Sequence, residues 1–96
     1  MGIDELLKNK REEILHVAAH HGAHHVRVFG SAARRQADDK SDVDFLVELE
    51  PGRTLFDLGG LLSELTELLE RPVDVITEGS LRERIRDRVL AEAVPL

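Results

Sequence analysis

The sequence contains no cysteine, which excludes a disulfide framework, a thiolate metal site and a cysteine nucleophile. Aromatic residues are scarce, because three phenylalanines are the only ones among 96 residues. No apolar run approaches the ~20 residues of a membrane span, and the N-terminus lacks the basic and apolar regions of a signal peptide. These absences predict a single cytoplasmic domain over residues 1–96, with an aliphatic core and no membrane partner.

Basic residues are fewer than acidic residues. The chain has 13 Lys and Arg against 19 Asp and Glu, a formal net charge of -6. Non-specific binding to a phosphate backbone depends on Lys and Arg clustered on one face, so direct nucleic-acid binding is not expected. The content of 42% hydrophobic and 33% charged residues is typical of a folded globular chain.

Helical and strand-like hydrophobic spacings alternate along the chain and predict the order α-β-α-β-α-β-α. The expected fold class is α/β (α+β), with a small mixed sheet of about three strands and helices packed on one face. The predicted helices cover residues 4–21, 32–37, 55–70 and 80–93, and the predicted strands cover 24–29, 43–49 and 73–77.

Capping residues set the expected ends of these helices. Gly22 can end the first helix in a left-handed conformation. Thr54 followed by Asp57 resembles a capping box that opens the Leu-rich helix, and Ser80 followed by Glu83 is expected to open the last helix in the same way.

The strongest chemical signal is Gly30-Ser31 followed, after ten residues, by Asp42-Val43-Asp44. A Gly-Ser turn at the end of a strand can present backbone N–H groups to phosphate. Two carboxylates one residue apart can hold a divalent metal ion. Together these features indicate a nucleoside triphosphate site.

Two of the predicted strands repeat the pattern Asp-x-aliphatic-x-Glu, beginning at Asp44 and at Asp74. Because a long helix joins these strands, they can lie parallel through a right-handed crossover, which would set Asp44 beside Asp74. Asp42 points to the same face as Asp44. If the preceding strand runs antiparallel, its end delivers Gly30-Ser31 to the same place.

Three carboxylates on one face repel one another, so divalent cations favour such a cluster. Two Mg²⁺ ions bound by Asp42, Asp44 and Asp74 would align a hydroxyl with the α-phosphate of a triphosphate and stabilise the departing pyrophosphate. The alternative for each residue alone is ordinary: Asp42 caps a turn, Asp44 marks the start of a strand and Asp74 is solvent-exposed.

These residues resemble the minimal nucleotidyltransferase branch of the DNA polymerase β superfamily. The resemblance extends roughly over residues 26–94. The matching segments are Phe29-Gly30-Ser31-Ala32-Ala33-Arg34, Ser41-Asp42-Val43-Asp44-Phe45-Leu46-Val47 and Val73-Asp74-Val75-Ile76. The resemblance implies a polymerase β-like fold. Arg35 departs from the family, whose members commonly have glycine after the arginine matched by Arg34.

By this resemblance, Gly30 and Ser31 contact the triphosphate. Asp42 and Asp44 bind both catalytic metal ions, and Asp74 completes one metal site near the attacking hydroxyl. Arg34 is expected to help hold phosphate charge; Arg35 and Lys40 could reach the same anion or lie in a solvated loop.

The resemblance also suggests a biological role. Similar proteins are antitoxins encoded beside HEPN-domain ribonuclease toxins, and the expected activity is transfer of AMP from ATP to a toxin hydroxyl, tyrosine being the expected acceptor. About 22 residues follow Asp74, too few for a further substrate-gripping domain. Two alternatives stay open: a binding-only antitoxin with a vestigial site, and a nucleotidyltransferase for a small molecule such as an antibiotic.

Two further features are less specific. The segment His20-His21-Gly22-Ala23-His24-His25 is rich in imidazole, but its position near a helix C-terminus favours a structural or solvated role. His16 and His20 have helical i, i+4 spacing without an evident third ligand. Gly59-Gly60 inside a predicted helix suggests close approach of another backbone or of a ligand.

Overall fold

The computed structural model describes residues 3–30 and 42–96. Within them the helices are α1 (Ile3–His20), α2 (Leu55–Leu69) and α3 (Glu83–Glu92), and the strands are β1 (Ala23–Phe29), β2 (Val43–Leu49), β3 (Val73–Thr77) and β4 (Val94–Pro95). A 3-10 turn, Glu78–Ser80, connects β3 to α3. The predicted short helix over 32–37 lies outside these residues.

The described strands form one mixed sheet in the order β3-β2-β1-β4. β2 runs parallel to β3, as the helical connection between them allows, and antiparallel to β1, which is the condition under which Gly30-Ser31 reaches the aspartates. The three predicted strands are present, and a fourth, β4, pairs antiparallel with Arg27 and Val28 of β1. This strand has two residues, too few to show alternation, and proline is acceptable there because β4 lies at an edge of the sheet.

Alternate side chains of β2 point to opposite faces of the sheet. Val43, Phe45 and Val47 are almost completely buried in the main hydrophobic core. Leu61 and Leu65 of α2 join that core together with the buried residues of α1, and the two helices contact each other. Helices α1 and α2 therefore cover one face of the sheet, while the intervening residues of β2 point to the other. No helix in the described part of the chain is long and apolar enough to span a bilayer.

The observed helix ends confirm two of the three predicted caps. Gly22 has φ +74°, and Thr54 with Asp57 forms the predicted capping box of α2. The prediction for Ser80 is wrong. Its hydroxyl donates a 2.8 Å hydrogen bond to the carbonyl of Thr77, inside the 3-10 turn, so α3 begins only at Glu83 without a side-chain cap.

Candidate active site

Parallel pairing of β2 and β3 brings two aspartates together. Asp44 lies opposite Asp74 in the register, as the repeated sequence pattern predicts. The pairing is extended by a 3.1 Å hydrogen bond from the backbone N–H of Val43 to the carbonyl of Pro72. Asp42 directly precedes β2 and is exposed. All three carboxylates thus belong to the same end of the strand pair.

Gly30 brings the end of β1 to the same carboxylates. The preceding residue, Phe29, lies opposite Asp44 in the antiparallel register. Gly30 has φ +70°, and a Cβ atom at this position would lie 2.6 Å from Oδ2 of Asp44. The backbone conformation therefore favours glycine here, and an added Cβ atom would displace the carboxylate of Asp44. The predicted meeting of the Gly turn with the aspartates is present.

The electrostatics of this end are unfavourable for a free carboxylate. Partial burial, followed by the negative charges of Asp74 and then Asp42, raises the pKa of Asp44 above its usual value. A divalent cation would relieve this repulsion, and oxygen donors alone are the ligand set that suits Mg²⁺. Asp42, Asp44 and Asp74 therefore fit the metal that the sequence suggests.

The remaining predicted phosphate-binding residues lie outside the described part of the chain. These are Ser31 and Arg34, together with Arg35 and Lys40, which the sequence leaves between phosphate contact and a solvated loop. Their roles stay predictions.

A second polar group, at the opposite end of the strand pair, was not predicted from the sequence. Arg27 of β1 is 5% exposed, and its Nη1 donates a 2.6 Å hydrogen bond to Oε1 of Glu78. This hydrogen bond is the main reason why the pKa of Glu78 is lowered. His25 and Glu48 lie beside the pair. The glutamates of the repeated Asp-x-aliphatic-x-Glu pattern, Glu48 and Glu78, were the sequence feature that could have indicated this group.

Two other histidines are paired with carboxylates, consistent with the predicted structural role. His21 lies 2.7 Å from Glu64, and His24 lies 2.6 Å from Glu50. The imidazole of His21 also explains Gly60, since a Cβ atom there would lie 2.8 Å from its Cε1. The close neighbour of Gly60 is thus a side chain, rather than the predicted backbone or ligand. Gly59 has no such neighbour within 4 Å among the described residues.

A family model for the nucleotidyltransferase domain matches residues 11–96. The chain belongs to this nucleotidyltransferase family. A relative from Methanocaldococcus jannaschii, assigned by name as a protein adenylyltransferase, is 39% identical over 94 residues, which are 98% of this chain and 97% of the relative.

Solved structures agree with the family. A minimal nucleotidyltransferase superposes on this nucleotidyltransferase with a TM-score of 0.87 and 49% identity, covering 96% of this chain and 94% of that one. A crystal structure of a toxin–antitoxin with AMP-PNP gives a TM-score of 0.75 at 17% identity, over 88% of this chain and 69% of that one, and shows a common fold. The resemblance, fold class and enzyme class inferred from the sequence are thereby confirmed.

Proposed function

We propose that this nucleotidyltransferase is an antitoxin that transfers AMP from ATP to a hydroxyl group, expected to be a tyrosine, of a HEPN-domain ribonuclease toxin in the cytoplasm. The observation that carries the proposal is the register that sets Asp44 opposite Asp74, with Gly30 against Asp44. Nucleotidyl transfer needs these elements together: carboxylates for metal ions and an unobstructed backbone turn for the triphosphate.

Each residue of the site has a proposed role in the transfer. Asp42 and Asp44 would both bind the same two Mg²⁺ ions, and Asp74 would complete the site nearer the acceptor hydroxyl. When bound, Mg²⁺ supplies positive charge that neutralises the triphosphate and the departing pyrophosphate. Gly30 leaves the space beside Asp44 free of a side chain, and Ser31 and Arg34 would contact the triphosphate oxygens.

Support for a protein acceptor comes from the M. jannaschii relative, which aligns over nearly its whole length and is assigned to protein adenylylation. Support for a toxin partner comes from the fold shared with a chain of the toxin–antitoxin structure. Transfer of AMP to a toxin residue would add a bulky anionic group to the toxin, which can block an RNA-binding surface by repelling phosphate.

The test is transfer of label from α-labelled ATP to the product of the neighbouring reading frame, which the proposal expects to be a HEPN-domain protein, in the presence of Mg²⁺ and followed by mass spectrometry of the labelled peptide. We expect AMP on a tyrosine of the partner and loss of its ribonuclease activity. A partner that is neutralised without becoming labelled would instead establish a binding-only antitoxin. Efficient labelling of a small alcohol without any protein partner would establish the small-molecule alternative.

A further inference from the structure

A second cluster of potential ligands lies where β2 and β3 end. One ligand atom from each of His25, Glu48 and Glu78 lies within 4.8 Å of the others. Nδ1 of His25 is 3.8 Å from Oε2 of Glu48. The three residues come from β1, β2 and the turn after β3, so tertiary structure rather than local sequence assembles them.

This cluster is separate from the candidate active site. β2 and β3 stay in register from Val43 opposite Val73 to Val47 opposite Thr77. Glu48 and Glu78 each follow their aspartate by four positions. At a rise of ~3.3 Å per residue, the two carboxylate pairs are therefore about 13 Å apart along the strands.

The ligand types differ between the two ends. Asp42, Asp44 and Asp74 offer oxygen alone, whereas the second cluster adds an imidazole nitrogen, a ligand that suits Zn²⁺ and related transition ions better than Mg²⁺. We propose that His25, Glu48 and Glu78 form a second cation site, for a divalent transition ion of the Zn²⁺ type. Binding there does not depend on the proposed transfer reaction.

The side chain of Arg27 contacts two residues of this cluster. This side chain is more than nine-tenths buried; Nη1 donates to Oε1 of Glu78 at 2.6 Å and Nε donates to the carbonyl of His25 at 3.1 Å. One guanidinium thus fixes two of the three ligand residues, as outer-shell groups commonly do around metal sites. Its buried Nη2 has no hydrogen-bond partner among the described residues.

An open cleft provides access and room for water ligands. Its volume is about 460 Å³, and its walls include Glu48, Thr77 and Glu78. Two of the three proposed ligands, Glu48 and Glu78, line this cleft. Three protein ligands leave a coordination position for water, as in other Zn²⁺ sites of open geometry. Because the ligands come from three adjacent segments, the ion would join β1, at His25, to the ends of β2 and β3.

The test is isothermal titration calorimetry with Zn²⁺ on the folded chain carrying Asp42→Asn and Asp44→Asn, which removes ligands of the active site. We expect one Zn²⁺ per chain, with no comparable heat from Mg²⁺. His25→Gln and Glu48→Gln should each abolish this binding. Both side chains are about half exposed, at 53% and 50%, so the variants are expected to fold, as circular dichroism can verify.

The matched control is His24→Gln. His24 is the neighbouring histidine, its side chain is 55% exposed, and it pairs with Glu50 rather than with the cluster. This variant should bind Zn²⁺ like its parent. Equal loss of binding in His24→Gln and His25→Gln, or absence of Zn²⁺ binding in the Asp42→Asn, Asp44→Asn background, would overturn the proposal. Anomalous scattering from Zn²⁺ in a crystal should lie at His25.

Discussion

The two ends of the β2–β3 strand pair carry the same acidic pattern but differ in whether the fold supplies a positive charge beside it. At the first end, burial and the neighbouring aspartates raise the pKa of Asp44. At the other end, the hydrogen bond from Arg27 is the main cause of the lowered pKa of Glu78. At the aspartate end, ionised Asp44 therefore opposes folding. At the glutamate end, the guanidinium of Arg27 compensates the charge of Glu78.

This difference distinguishes the candidate active site from the glutamate end of the same short sheet. A cluster that repels itself binds an external cation more strongly, and such clusters are typical of functional sites. The carboxylate of Glu78 instead compensates a buried guanidinium, because Arg27 alone would be a buried charge without a partner. The same sequence pattern thus has two environments, according to what β1 contributes: Gly30 at one end and Arg27 at the other.

The largest expected effect is on the aspartate end. Asp42→Asn with Asp44→Asn should lower AMP transfer by roughly a thousandfold, because metal ions contribute several kcal/mol of transition-state stabilisation. The rate of partner labelling at saturating ATP and Mg²⁺ measures this loss. The double variant should remain folded and should still bind the partner in a pull-down assay. Transfer within tenfold of the unmodified rate would remove these aspartates from the active site.

The next effect concerns the glutamate end. Glu78→Gln leaves the buried Arg27 with a neutral partner and should lower the free energy of unfolding by about 2–3 kcal/mol. Urea denaturation in the presence of EDTA measures this change without any contribution from bound metal. Glu64→Gln is the control, because Glu64 is half exposed and pairs with His21 at the surface; its effect should stay within about 0.5 kcal/mol. Equal losses in both variants would contradict the structural role given to Arg27.

Much of the aspartate end was predictable from the sequence. The period of two along β2 and β3, together with the helical crossover between them, correctly indicated that Asp44 and Asp74 are neighbours. The Gly30 turn could be assigned to the same end because antiparallel pairing of β1 is the simplest arrangement of adjacent strands. These inferences depend only on local periodicity and connectivity, which the sequence carries directly.

The contribution of β1 to the glutamate end was not predictable, for a physical reason. The register of β1 and β2 shifts between His24 and Arg27, and His25 has φ +50°, so the period of two fails where the cluster forms. The contact of Gly60 with His21 also joins residues far apart in sequence. Such features depend on packing between elements, which hydrophobic periodicity does not report.

A smaller effect tests how closely the glycine turn approaches the aspartates. Gly30→Ala should lower the free energy of unfolding by about 1–2 kcal/mol more than Gly52→Ala does, since both have positive φ but only the Gly30 Cβ would meet Asp44. Gly52 has φ +90° and nothing within 4 Å of its Cβ position among the described residues, so it reports the backbone contribution alone. Urea denaturation of both variants gives the comparison. Equal destabilisation would show that Asp44 moves aside without cost.

The smallest expected effect is a pH dependence of opposite sign at the two ends. The raised pKa of Asp44 means that its ionised form opposes folding above that pKa, and this cost disappears as the pH falls through it. The lowered pKa of Glu78 means that its stabilisation is complete above the unfolded-state pKa and is lost as the pH falls through the folded-state pKa. With EDTA present, Asp44→Asn should therefore be more stable than the unmodified chain at about pH 7, and Glu78→Gln should be less stable. Both differences should shrink at about pH 3, as urea midpoints at the two pH values can measure. A destabilising effect of Asp44→Asn at neutral pH would mean that its charge is already compensated, and the contrast between the two ends would then fail.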